Sequence, residues 1–186
     1  VAAVEDIISA CTFGKINPTK LPAFDLEHLF LQIRARSIGE KVDIVCTCPE
    51  CKEPHNHTLD LTNVSVVKPE GHEYNIELSD GILLKMKDPD LKSVDELKRN
   101  YDADGIITLI ARSIDSIWQN DELYAATDYS LGELIEFVEN FSPQNLTKVE
   151  DFFDTLPTLK HSIDYECEKC KATNHVVLEG LQDFFG

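Results

Sequence analysis

The residues best suited to chemistry in this 186-residue sequence are its six cysteines. Four of them form two Cys-x-x-Cys pairs, Cys48 with Cys51 and Cys167 with Cys170. A two-residue spacing lets one tight turn direct both thiolates at the same ion, and two such turns supply the four sulfur ligands of a tetrahedral zinc site at about 2.3 Å. Each pair alone offers only two ligands. The sequence therefore predicts one structural Zn²⁺ site, built from both pairs when the two halves of the chain meet.

The separation of the two pairs differs from that of a simple zinc ribbon. Residues 52–166 lie between them, a stretch of 115 residues, whereas a ribbon usually has about 15 to 20. Loop-closure entropy rises by only about 0.6 kcal/mol for each doubling of loop length, and a structural zinc ion contributes about 10 to 16 kcal/mol of apparent binding free energy. The free energy of zinc binding is larger than the added entropic cost of the long insertion, so the insertion is compatible with a shared site.

A different set of ligands would use one half of the chain alone. Cys48, Cys51, His55 and His57 could form a separate centre, but the second half would then lack a fourth ligand. Cys46 could in principle replace Cys48. Its position along the strand directs it away from the turn, so we expect Cys46 to lie in the core instead.

A thioredoxin-like redox pair is the enzymatic alternative. Such a pair usually opens a helix, where the helix dipole lowers the pKa of one thiol. Both pairs here are expected between strands, with glutamates beside them, at Glu50, Glu53, Glu166 and Glu168. The sequence also has no phosphate-binding glycine loop, nucleophile elbow or His-Glu-x-x-His motif. These observations favour a protein that is not an enzyme.

The elements around the two pairs form an internal repeat. Residues 42–61 and 162–181 each consist of an alternating strand, a Cys-x-x-Cys-Lys turn, an Asn-His step (Asn56-His57 and Asn174-His175) and an apolar return strand. We therefore expect residues 40–62 and 161–181 to form two hairpins of one zinc-ribbon-like β module.

Helix and hairpin signals organise the rest of the chain. An amphipathic helix near the start, with Cys11 on its apolar stripe, and a second helix ending before Gly39 precede the first hairpin. Residues 72–88 predict a β-hairpin. Residues 89–158 predict a helical region, with capping boxes at Ser93 and Ser130, and a stripe that continues from Ile106 through Ile114 and Ile117. The predicted fold is α+β, with a helical domain and the zinc-ribbon-like module in one domain over residues 1–186.

The charge balance limits the partners that the chain can have. Seventeen basic residues against 34 acidic ones give a net charge of −17, which repels nucleic acid and anionic membrane surfaces. No apolar run is long enough to span a bilayer, and no basic leader precedes the first helix, so secretion is not indicated. Candidate protein-binding residues are Trp118, Tyr124 and the terminal segment 181–185, although core packing is the commoner fate of such residues.

Several segments resemble one known family over nearly the whole chain. Residues 25–40 lead through a strand to the first cysteine pair and to Asp60-Leu61, and two further stretches match, Val67-Lys68-Pro69-Glu70-Gly71-His72 and Leu178-Glu179-Gly180-Leu181. This pattern resembles the baseplate hub subunit and hub assembly proteins of T4-like contractile-tailed bacteriophages. Relatives of this kind are typically longer at the N-terminus, and from the start at Val1 without Met we expect a longer natural chain that was trimmed or is not fully represented here.

The resemblance implies a role in virion morphogenesis. The protein would act in the host cytoplasm during assembly, or stay in the tail baseplate, and its partners would be other phage baseplate hub proteins. The residues alone also allow a zinc-ribbon adaptor that binds a regulatory protein and, less readily, a thiol oxidoreductase. Neither the residues nor the resemblance determines the oligomeric state.

Overall fold

The computed structural model describes residues 1–185, with only the backbone at position 80. Within these residues the chain combines seven α-helices with three β-sheets, which confirms the predicted mixture of helix and sheet. The helices are α1 (Ala2–Cys11), α2 (Ala23–Ser37), α3 (Leu91–Arg99), α4 (Ala103–Arg112), α5 (Leu131–Glu139), α6 (Pro143–Asp154) and α7 (Gly180–Phe185). The strands are β1 (Lys41–Thr47), β2 (Pro54–Asp60), β3 (Ser65–Val67), β4 (Asn75–Glu77), β5 (Leu83–Met86), β6 (Ile114–Gln119), β7 (Glu122–Ala125), β8 (Thr158–Glu166) and β9 (Thr173–Glu179).

The chain divides into two compact units, where the sequence predicts one domain. The inserted unit contains Lys68–Leu156 with the short segment Thr19–Ala23, and the cysteine unit contains Ala2–Pro18, Phe24–Val67 and the chain from Pro157 onward. The long stretch between the two cysteine pairs is therefore mostly a folded unit with its own core. Among the described residues, no helix is both long and apolar enough to cross a bilayer.

The cysteine unit holds two of the sheets. Strands β1 and β2 form an antiparallel pair, and β3, β8 and β9 form a three-stranded sheet in the order β3-β8-β9. Alternation along β1 buries Ile44 and Cys46, and these side chains join a core that includes Leu59, Leu159 and Leu178. Both cysteine pairs lie in the turns of this unit, one between β1 and β2 and the other between β8 and β9.

The helices that flank these sheets meet at the start of α7. Gly180 has a φ of +71°, a conformation that favours glycine, and a Cβ built there would lie 3.2 Å from Oε1 of Glu27 on α2. Glu27 is buried, and its carboxylate accepts a hydrogen bond from the Leu181 N–H at 3.4 Å. The close approach of α2 to this turn therefore depends on the absence of a side chain at position 180.

A four-stranded antiparallel sheet, in the order β4-β5-β6-β7, is the centre of the inserted unit. Leu84 and Met86 of β5 are buried, and Ile114 and Ile117 of β6 contribute to the same core. Residues from α4, α5 and α6 complete this core, including Ile110, Leu134, Val138, Val149 and Phe152. The predicted hairpin at 72–88 is present as β4 and β5, but it belongs to this larger sheet.

The prediction of a continuous helical region over 89–158 was wrong in its middle. Helix α4 ends at Arg112, and Ile114 and Ile117 lie in β6 instead of continuing the helical stripe. Strand β6 turns into β7 through Asn120 and Asp121, with φ values of 53° and 63°. Two consecutive residues with positive φ form the tight turn that matches the twist of a hairpin, so this stretch forms two strands.

One of the two predicted capping boxes is present. Ser130 and Glu133 form the predicted reciprocal capping box of α5, and Ser142 caps α6. At α3 the cap is Asp90, whose side chain accepts the Ser93 N–H, and Ser93 itself is buried in the first turn. The cap of α3 therefore lies three residues earlier than predicted, at Asp90, and consists of this single bond.

Candidate metal centre

The two cysteine turns have the same backbone structure. In the first, the Cys48 N–H donates to the Glu53 carbonyl and the Lys52 N–H donates to the Cys48 carbonyl, at 2.9 and 3.0 Å. In the second, the Cys167 N–H donates to Ala172 and the Lys171 N–H to Cys167, both at 2.9 Å. The lysine after each second cysteine has a φ near +60°, which closes the turn. The internal repeat predicted from the sequence is therefore also a structural repeat.

This turn geometry brings all four cysteine sulfurs together. The Sγ atoms of Cys48, Cys51, Cys167 and Cys170 lie within 4.8 Å of one another. The first cysteine of each turn lies close to the second cysteine of the other, with Cys48 Sγ 3.7 Å from Cys170 Sγ and Cys51 Sγ 3.5 Å from Cys167 Sγ. A tetrahedral zinc with Zn–S bonds of about 2.3 Å has sulfur–sulfur edges of about 3.8 Å. The donor set and its spacing thus fit a tetrahedral thiolate site.

Backbone N–H groups of the turns point at the sulfurs in a repeated pattern. Cys48 accepts from the N–H groups of Cys51 and Glu50, and Cys167 accepts from those of Cys170 and Lys169. The second cysteine of each turn accepts from the residue two positions later, Glu53 or Ala172. Such bonds stabilise the ionised form of a thiol, which is the form that binds metal.

The pKa values of the first cysteines reflect these bonds. The Cys170 N–H, assisted by His55 and the Lys169 N–H, holds the pKa of Cys167 down at about 6 although burial opposes it. The N–H groups of Cys51 and Glu50 likewise lower the pKa of Cys48 against the effect of burial. For these two cysteines the N–H groups of the turns, and not the nearby glutamate side chains, determine that the pKa is lowered.

The second cysteines behave in the opposite way, because they lie beside thiols that ionise first. The Ala172 N–H lowers the pKa of Cys170, but burial and the three neighbouring cysteines raise it to about 12. The Glu53 N–H acts similarly on Cys51, whose pKa is raised overall by burial and by Cys167 and Cys48. Four thiols in one place cannot all ionise without a cation, and a divalent metal supplies the charge that would allow it.

Two polar side chains extend this symmetry beyond the sulfurs. His55 Nε2 lies 3.2 Å from Cys167 Sγ, and the buried Asn174 lies with Nδ2 3.7 Å from Cys48 Sγ. Since Cys51 corresponds to Cys170, His55 corresponds to Asn174, four residues after the cysteine in each case. Each turn therefore places a polar group against the buried cysteine of the other turn. The alignment of the two repeats made from the sequence, which paired Asn56-His57 with Asn174-His175, was therefore wrong by one residue.

The other candidate ligands lie elsewhere. His57 packs against the Tyr165 ring at 4.6 Å between centroids, and its buried Nε2 has no hydrogen-bond partner among the described residues. His55 contacts a sulfur of the other turn, so the four residues of the one-half alternative do not form a centre by themselves. Cys46 lies in the core as expected, and burial raises the pKa of its thiol. Cys11, also expected in the core, is exposed.

An exposed ion pair connects the two turns at the surface. Lys169 Nζ lies 2.6 Å from Glu53 Oε2. The lysine lowers the pKa of Glu53, and the glutamate raises that of Lys169. Exposed pairs of this kind contribute little to stability. We therefore assign the contact between the two turns mainly to the four cysteines, and the ion pair only a minor part in it.

The burial of the first cysteine in each turn favours metal binding over thiol exchange. The lowered pKa of Cys167 is a property that redox cysteines share, but Cys48 and Cys167 are completely buried. A thiolate that attacks an external disulfide must be accessible. The more accessible cysteine, Cys170, has the raised pKa. The arrangement thus favours holding an ion over exchanging disulfides.

Comparison with known proteins places the whole chain in one family. Residues 1–186 match the model of the T4 bacteriophage base plate protein family. The baseplate hub assembly protein gp26 of Enterobacteria phage T4 is 24% identical over 185 residues, which cover 98% of this chain and 79% of that protein. No solved structure matches this chain. The chain belongs to the T4 bacteriophage base plate protein family.

Proposed function

We propose that this protein is a non-enzymatic assembly factor or subunit of a phage tail baseplate hub, a scaffold whose cysteine unit is held together by one structural Zn²⁺ ion. The observation that carries the proposal is the family match across residues 1–186, together with the similarity to a hub assembly protein over 98% of the chain. Its partners are other baseplate hub proteins. It acts in the host cytoplasm during assembly and, as a subunit, would stay in the tail.

The zinc part of the proposal rests on the four cysteine sulfurs. Their spacing fits a tetrahedral site, and all four positions of the ion would be filled by protein. A zinc ion with four thiolate ligands has no open position for a water or a substrate. Its role would therefore be structural, and it would join two hairpins that are far apart in the sequence.

The hub role is tested by affinity purification of the full chain from phage-infected cells during tail assembly. We expect a baseplate hub protein to be retained in stoichiometric amount. Retention of host regulatory proteins without any baseplate component would overturn the proposal in favour of an adaptor. Mass spectrometry of finished particles distinguishes a permanent subunit from an assembly factor.

The zinc role needs a separate measurement. Elemental analysis of chain prepared without chelators should give one zinc per chain. The Cys51→Ser variant should lose most of this metal, whereas Cys11→Ser, which changes an exposed cysteine on α1, should keep it. Wild-type chain that contains no metal after gentle preparation would refute the zinc site and leave the hub role standing.

A further inference from the structure

An apolar row crosses the face of the inserted unit's sheet that lies opposite its core. In the strand register, Leu83 of β5 is opposite Trp118 of β6, and Trp118 is opposite Leu123 of β7. The neighbouring row of Leu84 and Ile117 packs into the core, so the row with Trp118 faces the other way. Trp118 is 43% exposed and Leu123 is 53% exposed. Tryptophan is enriched in binding hot spots, and the exposed leucine beside it enlarges the apolar surface.

This row ends at a strand edge that can accept another strand. Strand β7 is the last in its sheet, with β6 as its only strand neighbour within the described residues. The turn at Asn120 and Asp121 makes Gln119 and Glu122 the first hydrogen-bonded pair. Alternation along the ladder then directs the N–H and C=O groups of Leu123 and the N–H group of Ala125 away from β6, whereas the Ala125 C=O begins the short 3-10 turn Ala126–Asp128. The groups directed away from β6 are those to which an added strand would hydrogen-bond.

Charge indicates which kind of segment would bind. Residues 113–147 contain seven acidic residues and no lysine, arginine or histidine. This stretch includes β6, β7 and α5. A second copy of the chain would bring the same acidic surface and a further net charge of −17, so self-association through this edge is disfavoured. A basic segment with alternating apolar residues complements both the charge and the apolar row.

We infer that the β7 edge and the Leu83–Trp118–Leu123 row form the docking site for a basic, extended segment of a partner protein. The segment adds as a strand beside β7, with its apolar side chains over Trp118 and Leu123 and its cations near the acidic residues. The inference rests on the proposed function only in that a baseplate protein would supply the segment. The site itself is a property of the β6–β7 hairpin and does not involve the cysteine unit.

The test uses the full chain and two short synthetic peptides, one of alternating lysine and valine and one of alternating glutamate and valine. Trp118 is the only tryptophan, so its fluorescence reports directly on the site. The lysine peptide should shift the emission to the blue and slow amide exchange at Leu123 and Ala125, and added salt should weaken both effects. The Leu123→Ser variant should bind about tenfold more weakly. Val177→Ser, which changes a comparably exposed valine on β9, should bind as the wild type does.

Other outcomes would overturn the inference. Equal binding of both peptides, equal weakening by Val177→Ser, or an unchanged Trp118 signal would show that this surface is not the site. Concentration-dependent self-association that Leu123→Ser abolishes would assign the edge to a second copy. If the Leu123→Ser chain retains hub proteins at the wild-type level in the affinity purification, the docking site is refuted and the hub role is unaffected. If the wild-type chain retains no hub protein, the hub role alone is refuted.

Discussion

Replacing Cys170 by serine separates the metal contribution of the cysteine cluster from its packing contribution. Cys170 is exposed, unlike the fully buried Cys48 and Cys167. Substitution by serine at an exposed position removes little apolar contact but replaces a good zinc ligand with a poor one. Cys11 is the matched control, because it is exposed, lies in the same compact unit and is far along the chain from both turns.

The expected magnitude follows from linkage between binding and folding. An ion that binds only the folded chain stabilises it by RT ln(1 + [L]/Kd), which is about 4 kcal/mol when free zinc is 1,000 times Kd. For a chain of 150 to 250 residues, 1 kcal/mol corresponds to a Tm change of about 2 to 4 °C. Zinc should therefore raise the Tm of the wild type by about 8 to 16 °C, and most of this increase should be absent in Cys170→Ser.

The assay is thermal unfolding followed by circular dichroism, in metal-buffered solution with a reductant, with and without a strong chelator. In chelator, wild type, Cys170→Ser and Cys11→Ser should unfold within about 0.5 kcal/mol of one another, as exposed substitutions usually do. In the presence of zinc, the Tm of Cys170→Ser should be lower than the Tm values of the wild type and of Cys11→Ser. If Cys170→Ser loses the same stability with and without zinc, the sulfur acts through packing and the metal argument fails. An equal zinc-dependent loss in Cys11→Ser would show that zinc acts at another site.

Three further predictions test the surroundings of the cluster and two local features of the fold. His55→Ala and Asn174→Ala should each weaken zinc binding by about 10- to 100-fold in competition with a chromogenic chelator. The control is His175→Ala, whose exposed ring pairs with Asp164 and which should bind zinc as the wild type does. Equal effects of all three variants would contradict the role of His55 and Asn174 beside the sulfurs. Gly180→Ala should lower the free energy of unfolding in urea by about 1 to 2 kcal/mol, because its φ is +71°, whereas Gly132→Ala in α5, whose nearest neighbour to a new Cβ is 3.9 Å away, should be neutral or stabilising by up to about 1 kcal/mol. The Ser130 hydroxyl and N–H lower the pKa of Glu133, so their bond stabilises the folded state above the unfolded pKa and is lost as pH falls through the lower folded pKa. The stability difference between wild type and Ser130→Ala should therefore shrink below about pH 4, and a difference that is constant with pH would refute this linkage.

Cysteine spacing predicted which four residues come together, because the Cys-x-x-Cys turn is determined locally. The same turn forms twice from different residues, Pro49-Glu50 in one and Glu168-Lys169 in the other, with the same hydrogen bonds. Stoichiometry then required the two turns to meet. What the spacing could not supply was the contact of each turn with the other's buried sulfur, since His55 and Asn174 differ in type and only the three-dimensional repeat shows that they correspond.

The missed β6–β7 hairpin shows where periodicity is ambiguous. Ile110, Ile114 and Ile117 have the spacing of one helical face, and no glycine or proline interrupts them. The helix nevertheless ends at Arg112, where Ser113 donates its hydroxyl to the Leu109 carbonyl. The available signal was Asn120-Asp121, two residues that tolerate positive φ, between β-branched and aromatic residues. A turn signal of this kind deserves more weight than a stripe that extends beyond three helical turns.

Division of the chain into two units explains why the long separation of the cysteine pairs is compatible with one site. Most of residues 52–166 fold as the inserted unit around their own core, so the two turns are not the ends of a flexible loop in the native state. The cost of bringing them together is met by folding the sheets on which they lie, β1–β2 and β3-β8-β9. A metal ion would then bind ligands that the sheets already hold within 4.8 Å of one another. Because each turn also contacts the other's buried sulfur, neither half provides a complete site, and the ion should bind only after both hairpins have folded.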